Sequence, residues 1–341
     1  MPSPFPHLPA AQRGTLRNLT HRSEVLADNP WGDPTERDLW VYTPADTDGT
    51  ALPAILLLAG FAGTGEGMLA RSLTEISIAS RIDHLIASGC PPFIAVLPDC
   101  MTTLGGSQFI DSPALGRYGS YLTAEIMPFI DATLPTTGRW GATGRSSGGF
   151  GALTLAMSAP GLLDAVACHA GDMAFDLCYL GDIPAGLSAI RAAGGPRALV
   201  EAFWAAARPS GSMFAALNLL CMSAAYSPSP EAAGFPARLP IDWQTGAVDF
   251  ETFASWRAFD PVRRIESPVA QEALRSLSLL MLDAGDRDEH HLHLGARQLV
   301  ARLKSLDIPH IYEEFPGGHR GTSHRYDVSL PRLARALHCE G

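Results

Sequence analysis

A doubly wound, mostly parallel α/β sheet with a long helical insertion is the architecture this sequence predicts. Three observations carry the prediction. Short runs apolar at every position recur along the chain, the clearest being Ala54-Ile55-Leu56-Leu57-Leu58-Ala59. Strands covered by helices on both faces require such runs. Stretches of helical period lie between them, and that alternation marks βαβ units. Residues 173–268 then break the rhythm with a block rich in Ala, Leu, Phe and Trp that offers no good strand.

Taken in order, residues 14–25 and 36–43 read as two strands around the Pro/Gly/Asp-rich stretch 28–34. The strand at 54–59 follows Pro53, another at 93–97 ends at Pro98-Asp99, and a weaker one lies at 139–143. Strands at 165–168, 277–282 and 310–315 complete the set. A helix at 120–134 carries Leu122, Ile126, Phe129 and Ile130 at helical spacing before Pro135. Further helices are expected at 150–158, ahead of Pro160, and at 292–306 and 329–337. Inside the insertion, 196–208, 212–225 and 250–259 read as helices, with Pro228, Pro230, Pro236 and Pro240 between them. The expected division is a core of residues 1–172 and 269–341 with a cap, or lid, of residues 173–268.

Composition narrows the function. The 341-residue chain is 46% apolar, enough for a large core, and carries a formal charge of −10. That balance argues against nucleic acid and anionic membrane surfaces, which bind basic faces. The longest apolar runs, such as 54–58 and 277–282, fall far short of the roughly 20 residues of a membrane span. The start, Met1-Pro2-Ser3-Pro4-Phe5-Pro6, has neither a basic nor an apolar leader region, so the expectation is a cytoplasmic protein. Cys90, Cys100, Cys168, Cys178, Cys221 and Cys339 show no CxxC spacing and mostly sit among apolar neighbours, as buried free thiols do.

The sharpest motif is Gly144-Arg145-Ser146-Ser147-Gly148, a G-x-S-x-G between the strand at 139–143 and the helix at 150–158. A strand-to-helix turn this tight has no room for side chains two positions either side of the serine. It leaves the Ser146 hydroxyl exposed at the carboxyl edge of the sheet, where the helix N-terminus favours developing negative charge. The plainer alternative is a small-residue turn that packs a helix on a strand. A serine needs a base. His319 follows the strand at 310–315 through Pro316-Gly317-Gly318, with His324 the near competitor. Asp288 follows the strand at 277–282, where Gly285 permits a sharp exit, and it would hold the imidazole tautomer. Asp283, Asp286 and Glu289 read as caps or solvated charges, and Asp172 is a second-choice acid.

Two backbone donors should face the tetrahedral intermediate. They are the amide of Ser147 and that of Phe61 in Gly60-Phe61-Ala62-Gly63. This Gly-rich loop lacks the spacing of a phosphate cradle. The run Asp288-Glu289-His290-His291-Leu292-His293 has no second cluster at ligand spacing, so neither metal nor cofactor is expected.

Four segments carry a family resemblance: Val96-Leu97-Pro98-Asp99-Cys100, Gly105-Gly106-Ser107-Gln108-Phe109 with Asp111-Ser112-Pro113, residues 144–153, and Gly317-Gly318-His319. Together they resemble the putative-esterase branch of the α/β-hydrolase superfamily. That branch is related to feruloyl and acetylxylan esterases, S-formylglutathione hydrolases, enterochelin-type esterases and mycolyltransferases. The resemblance covers about residues 35–170 and 270–338. It implies an α/β-hydrolase fold, a triad of Ser146, Asp288 and His319, and Phe61 with Ser147 as oxyanion donors. The 173–268 insertion departs from the smaller members, so the resemblance stops short of the substrate.

The expected function is a serine esterase that cleaves a small-molecule carboxylic ester through an acyl-enzyme on Ser146. An acyltransferase would share that intermediate, and a non-catalytic binding module would have no need of all three triad residues. A homodimer is compatible with the sequence. Most aromatic residues of the insertion should hold it together. Trp204, Phe214, Trp243 and Trp256 are expected to wall the substrate pocket and to favour a bulky or apolar ester.

Overall fold

Eight strands form the central sheet of the computed structural model, which describes residues 8–47, 49–71, 75–181 and 183–339. They are β1 (Thr15–Asn18), β2 (Leu39–Thr43), β3 (Leu52–Leu58), β4 (Ile94–Pro98), β5 (Thr136–Arg145), β6 (Ala165–His169), β7 (Leu279–Gly285) and β8 (Ile311–Phe315). Their spatial order is β1-β2-β4-β3-β5-β6-β7-β8. β2 runs antiparallel to both β1 and β4, and every other pair is parallel. This is the α/β-hydrolase fold.

β3 is buried at every position, as its unbroken apolar run requires. Alternate side chains serve opposite layers. Ile55 and Leu57 pack with Ile78 and Ile82 of α1 (Ile78–Ala87) and with Leu330, Leu333 and Leu337 of the C-terminal helix Tyr326–His338. Leu56 and Leu58 face the other way. They join Ile130 of α2 (Met127–Thr133) and Ala152 and Leu153 of α3 (Ser147–Ala156). Each fully buried leucine in these layers contributes roughly 1.5–3 kcal/mol.

Three elements differ from the sequence expectation. The strand at 14–25 is split at Thr20, whose φ of 34° turns the chain, and His21–Arg22 pairs with Glu36–Arg37 outside the main sheet. The helix at 120–134 widens into a π-turn over Tyr121–Ile126 just before Pro128. A proline ring lacks the amide and crowds the carbonyl four residues back, which forces such a bulge. α1 has no counterpart in the sequence reading, although Ser77 caps it by accepting from the Ser80 amide at 3.2 Å.

Between β6 and β7 the chain is helical: α4 (Ile183–Ala193), α5 (Pro196–Ala205), α6 (Gly211–Tyr226) and α7 (Phe250–Arg257), then Pro261–Arg264 and Pro268–Arg275. α6 is mostly apolar and its second half, Leu219–Tyr226, is buried at every position, as a helix of that pattern must be. Gly186 lets α4 approach it, because a Cβ there would lie 3.0 Å from Ala216 Cα. These helices share one apolar interior with Leu104, Ile110 and Leu115 of the loop after β4, and with Phe61. Val262, Ile265, Ala270 and Leu274 belong instead to the sheet core, so sheet packing resumes near Pro261, inside the stretch 173–268. Five cysteines are buried and Cys339 is exposed, all as free thiols. Among the described residues no helix is long and apolar enough to cross a membrane.

Candidate active site

β5 passes into α3 through a single residue. Ser146 has φ 58° and ψ −127°, a conformation L-residues adopt only when their surroundings enforce it. The flanking glycines show why. A Cβ on Gly144 would lie 2.5 Å from Gly148 C and Leu58 O, and one on Gly148 would lie 2.1 Å from Leu58 O. The turn is clamped to β6, because the Ser146 amide donates to His169 O at 2.9 Å.

Asp288 and His319 meet at the same sheet edge. His319 Nδ1 donates to Asp288 Oδ2 at 2.8 Å, and the carboxylate is buried. Its Oδ1 accepts from the amides of His290 at 2.9 Å and Leu292 at 3.4 Å. Burial works to raise the Asp288 carboxyl. The hydrogen bond and charge of His319, with the two amides, outweigh it and hold the group below its usual range.

The His319 loop is itself held from β7. Asp286 Oδ1 accepts from the Gly317 amide at 2.9 Å, and Glu289 Oε2 accepts from the His319 amide at 2.6 Å. The sequence reads both as caps or solvated charges; instead they bond loop amides, while Asp283, read with them, is buried and paired with His169. The ring of His290 lies edge-on to His319 with centroids 4.9 Å apart. His324 points elsewhere, with Nδ1 3.2 Å from Gly321 O and its ring on Phe315. Arg145 reaches across from the elbow and donates to Thr322 Oγ1 at 3.3 Å, and Thr322 donates to His319 O at 3.4 Å.

The loop after β3 closes a turn in which the Gly63 amide donates to Gly60 O at 2.9 Å. Such a turn leaves the amide of its second residue, Phe61, unused. The Ser147 amide is equally unused, as a first helical residue has no intrahelical acceptor. Among the described residues neither amide donates to a protein group. A Cβ on Gly60 would lie 3.7 Å from Ser146 Cβ, so this loop borders the serine.

The structure does not gather the four aromatic residues expected to wall a pocket. Phe214 is 42% exposed and packs edge-to-face on Phe61 at 5.5 Å. Trp204 is 58% exposed, with Nε1 donating to Thr103 O at 2.8 Å. Trp243 lines a groove of about 980 Å³ on the insertion with Gly195 and Phe235. Trp256 is fully buried, packs on Tyr179 and Tyr226, and donates to Ser227 Oγ at 2.8 Å. Trp256 is thus interior to the insertion and not a pocket wall: helical spacing marks a residue as buried but is silent on its neighbours.

Asp172 does not face His319. Its Oδ2 accepts from Ser147 Oγ at 3.0 Å, Tyr179 OH at 2.9 Å and Gln108 Nε2 at 3.1 Å. Sequence reasoning missed that cluster and a second one. His169 Nδ1 donates to Asp283 Oδ1 at 2.8 Å, and its Nε2 lies 2.8 Å from Ser329 Oγ. Arg325 Nε donates to Asp283 Oδ2 at 2.8 Å. For the second cluster the available signal was the polar residue that follows each of the apolar runs 165–168 and 277–282, His169 and Asp283. Among the described residues no group of three His, Cys, Asp or Glu side chains is arranged to hold a metal ion.

The family model described as "Putative esterase" matches residues 34–332. A ferulic acid esterase structure superposes with TM-score 0.61 at 17% identity, covering 95% of this chain and 99% of that one. The S-formylglutathione hydrolase of Agrobacterium tumefaciens gives 0.58 at 17% identity, covering 96% and 98%. The fluorophosphonate-binding serine hydrolase FphF of Staphylococcus aureus gives 0.55 at 13%, covering 96% and 100%. No curated protein sequence matches.

Proposed function

As this chain belongs to the "Putative esterase" family, whose model spans residues 34–332, we propose that its carboxylic-ester hydrolase chemistry runs through an acyl-enzyme on Ser146. The observation that carries this is the 2.8 Å bond from His319 to the buried Asp288, at the sheet edge where Ser146 sits in its enforced turn. Ser146 Oγ attacks the ester carbonyl while His319 Nε2 takes its proton. Asp288 holds the tautomer that presents Nε2 and stabilises the imidazolium. The amides of Phe61 and Ser147 stabilise the tetrahedral oxyanion, each such donor contributing on the order of 10²–10³ in rate. His319 then protonates the leaving alcohol, the acyl-enzyme forms, and a water deprotonated by His319 releases the acid.

The substrate we propose is a bulky or apolar ester. Support comes from Phe214, an exposed ring of the insertion held against the Phe61 ring and so beside the oxyanion loop. The decisive experiment is labelling with a fluorophosphonate and locating the adduct by mass spectrometry. An adduct on Ser146, lost together with ester turnover in Ser146→Ala, is the expected result. An adduct on another serine would overturn the assignment.

A further inference from the structure

Next to the elbow lies a polar cluster that is bonded to Ser147, the residue after the serine. Asp172 Oδ2 collects three donors from three separate parts of the chain: Ser147 in the first turn of α3, Tyr179 in the insertion and Gln108 after β4. Gln108 Nε2 also donates to Tyr226 OH at 2.9 Å, and the two tyrosine oxygens lie 3.4 Å apart. All five side chains are more than nine-tenths buried. No Arg, Lys or His is among the described partners of this carboxylate. A buried carboxylate without a cation is costly, and the three donors on one oxygen are what offset it here.

Two further observations show that the surroundings are set to suit Asp172. Gln108 turns its amide nitrogen inward, which leaves Oε1 buried and unpartnered. The reverse orientation would press a carbonyl oxygen against the carboxylate, so the orphaned acceptor is the lesser cost. Backbone strain also collects here, with positive φ at Gln108 (55°), Phe109 (56°), Ala170 (42°) and Ala174 (54°) as well as at Ser146. Strain of this kind clusters at functional sites. Burial, and then the charge of Asp172, push both tyrosine hydroxyls well above their usual range, so both remain protonated donors.

We infer that Asp172 is a positioning residue for the oxyanion hole: through Ser147 Oγ it fixes the Ser147 amide, and Tyr179 and Tyr226 tie that alignment to the seating of the insertion. This rests on the acyl-enzyme reading above. The first amides of a helix have no intrahelical acceptor, and with Gly148 and Gly149 following it, Ser147 has the first polar side chain able to anchor the first turn of α3. A donor displaced by a few tenths of an ångström loses much of its effect on the transition state.

Three variants test it: Ser147→Ala removes only the link to α3, Asp172→Ala removes the acceptor, and Asp172→Asn keeps an oxygen in the place of Oδ2. Each is measured on one p-nitrophenyl ester for kcat and KM, and with a trifluoromethyl ketone for Ki. Circular dichroism and Tm establish that the variants are folded. Ser147→Ala should lower kcat by roughly tenfold to a hundredfold, with KM within about threefold. Ki should rise by the factor by which kcat/KM falls, Asp172→Asn should recover most of the loss in Asp172→Ala, and the Ser147→Ala/Asp172→Ala pair should be no slower than Asp172→Ala alone. Unchanged kcat and Ki in a folded Ser147→Ala, or additive losses in the pair, would overturn the inference. Fluorophosphonate labelling of wild type separates the two readings, since an unlabelled Ser146 would sink the acyl-enzyme while a labelled Ser146 with an indifferent Ser147→Ala sinks only the positioning role.

Discussion

His169 and Asp283 stand opposite each other in register on β6 and β7, joined by a 2.8 Å bond, and yet they are shut away from any substrate. Asp288 and His319 make a bond of the same length beyond the end of β7. The first pair is closed off by Ser329, Arg325 and the ring of Tyr326. The second pair leaves the histidine partly exposed at the sheet edge. Chemistry of side chains does not separate the two pairs; their position along the strands does.

Substituting Asp283 and Asp288 should therefore give opposite phenotypes. Asp288→Asn is expected to keep the fold and lower kcat by on the order of 10³–10⁴, because the histidine loses the partner that sets its tautomer. Asp283→Asn breaks a buried ion-paired network and should cost about 3–5 kcal/mol of stability. Thermal melts and kcat on a single ester measure both. A stable, inactive Asp283→Asn would exchange the roles of the two pairs.

Ser146→Ala and His319→Ala should each remove activity by a factor on the order of 10⁴ or more, and the double variant should be no worse. Ser146 is a turn residue outside the core, so circular dichroism and Tm should stay close to wild type. Residual kcat from purified variants is the measurement.

Acid stability should depend on Asp288. Its carboxyl lies lower in the folded protein than in the unfolded chain, where it is about 3.9. The stability it contributes is thus fully present above that unfolded value and is lost as pH falls through the lower folded value. Asp288→Asn should flatten the low-pH end of a Tm-against-pH curve and leave its neutral part parallel to wild type.

Chelation should leave turnover unchanged, because the proposed chemistry routes every proton through His319. Assays after EDTA treatment check this. Activity that is lost and then restored by a divalent metal would move attention to His290, His291 and His293.

Acyl length should separate pocket residues from interior ones. Along p-nitrophenyl esters from acetate upward, each buried methylene should add up to about 0.8 kcal/mol, or roughly fourfold in kcat/KM, until the pocket is full. Phe214→Ala should shorten that rise with little change in Tm. Trp256→Ala should instead cost about 3–5 kcal/mol of stability, as a large side chain removed from a packed interior does. A flat series, with acetylated sugars as the best substrates, would refute the apolar pocket.

By itself the sequence determined the parallel sheet and the glycine-flanked turn at Ser146, and it suggested the order serine, aspartate, histidine along the chain. These rest on local physics: an unbroken apolar run as short as 54–58 fits a strand covered on both faces better than a buried helix, which would be longer, and the glycines at 144 and 148 are demanded by atoms a few residues away or on the adjoining strand. Tertiary structure alone decided that Asp283 meets His169 and which aromatic residue packs on the Phe61 loop. Gln108 and Tyr226 bond across 118 positions, His169 and Ser329 across 160. Periodicity reports that such side chains are buried, but their partners are set by how whole elements pack, and no local pattern encodes that. So Asp172, a second-choice acid in the sequence, turns out to face Ser147, and Trp256 lies in the interior of the insertion and not over the active site.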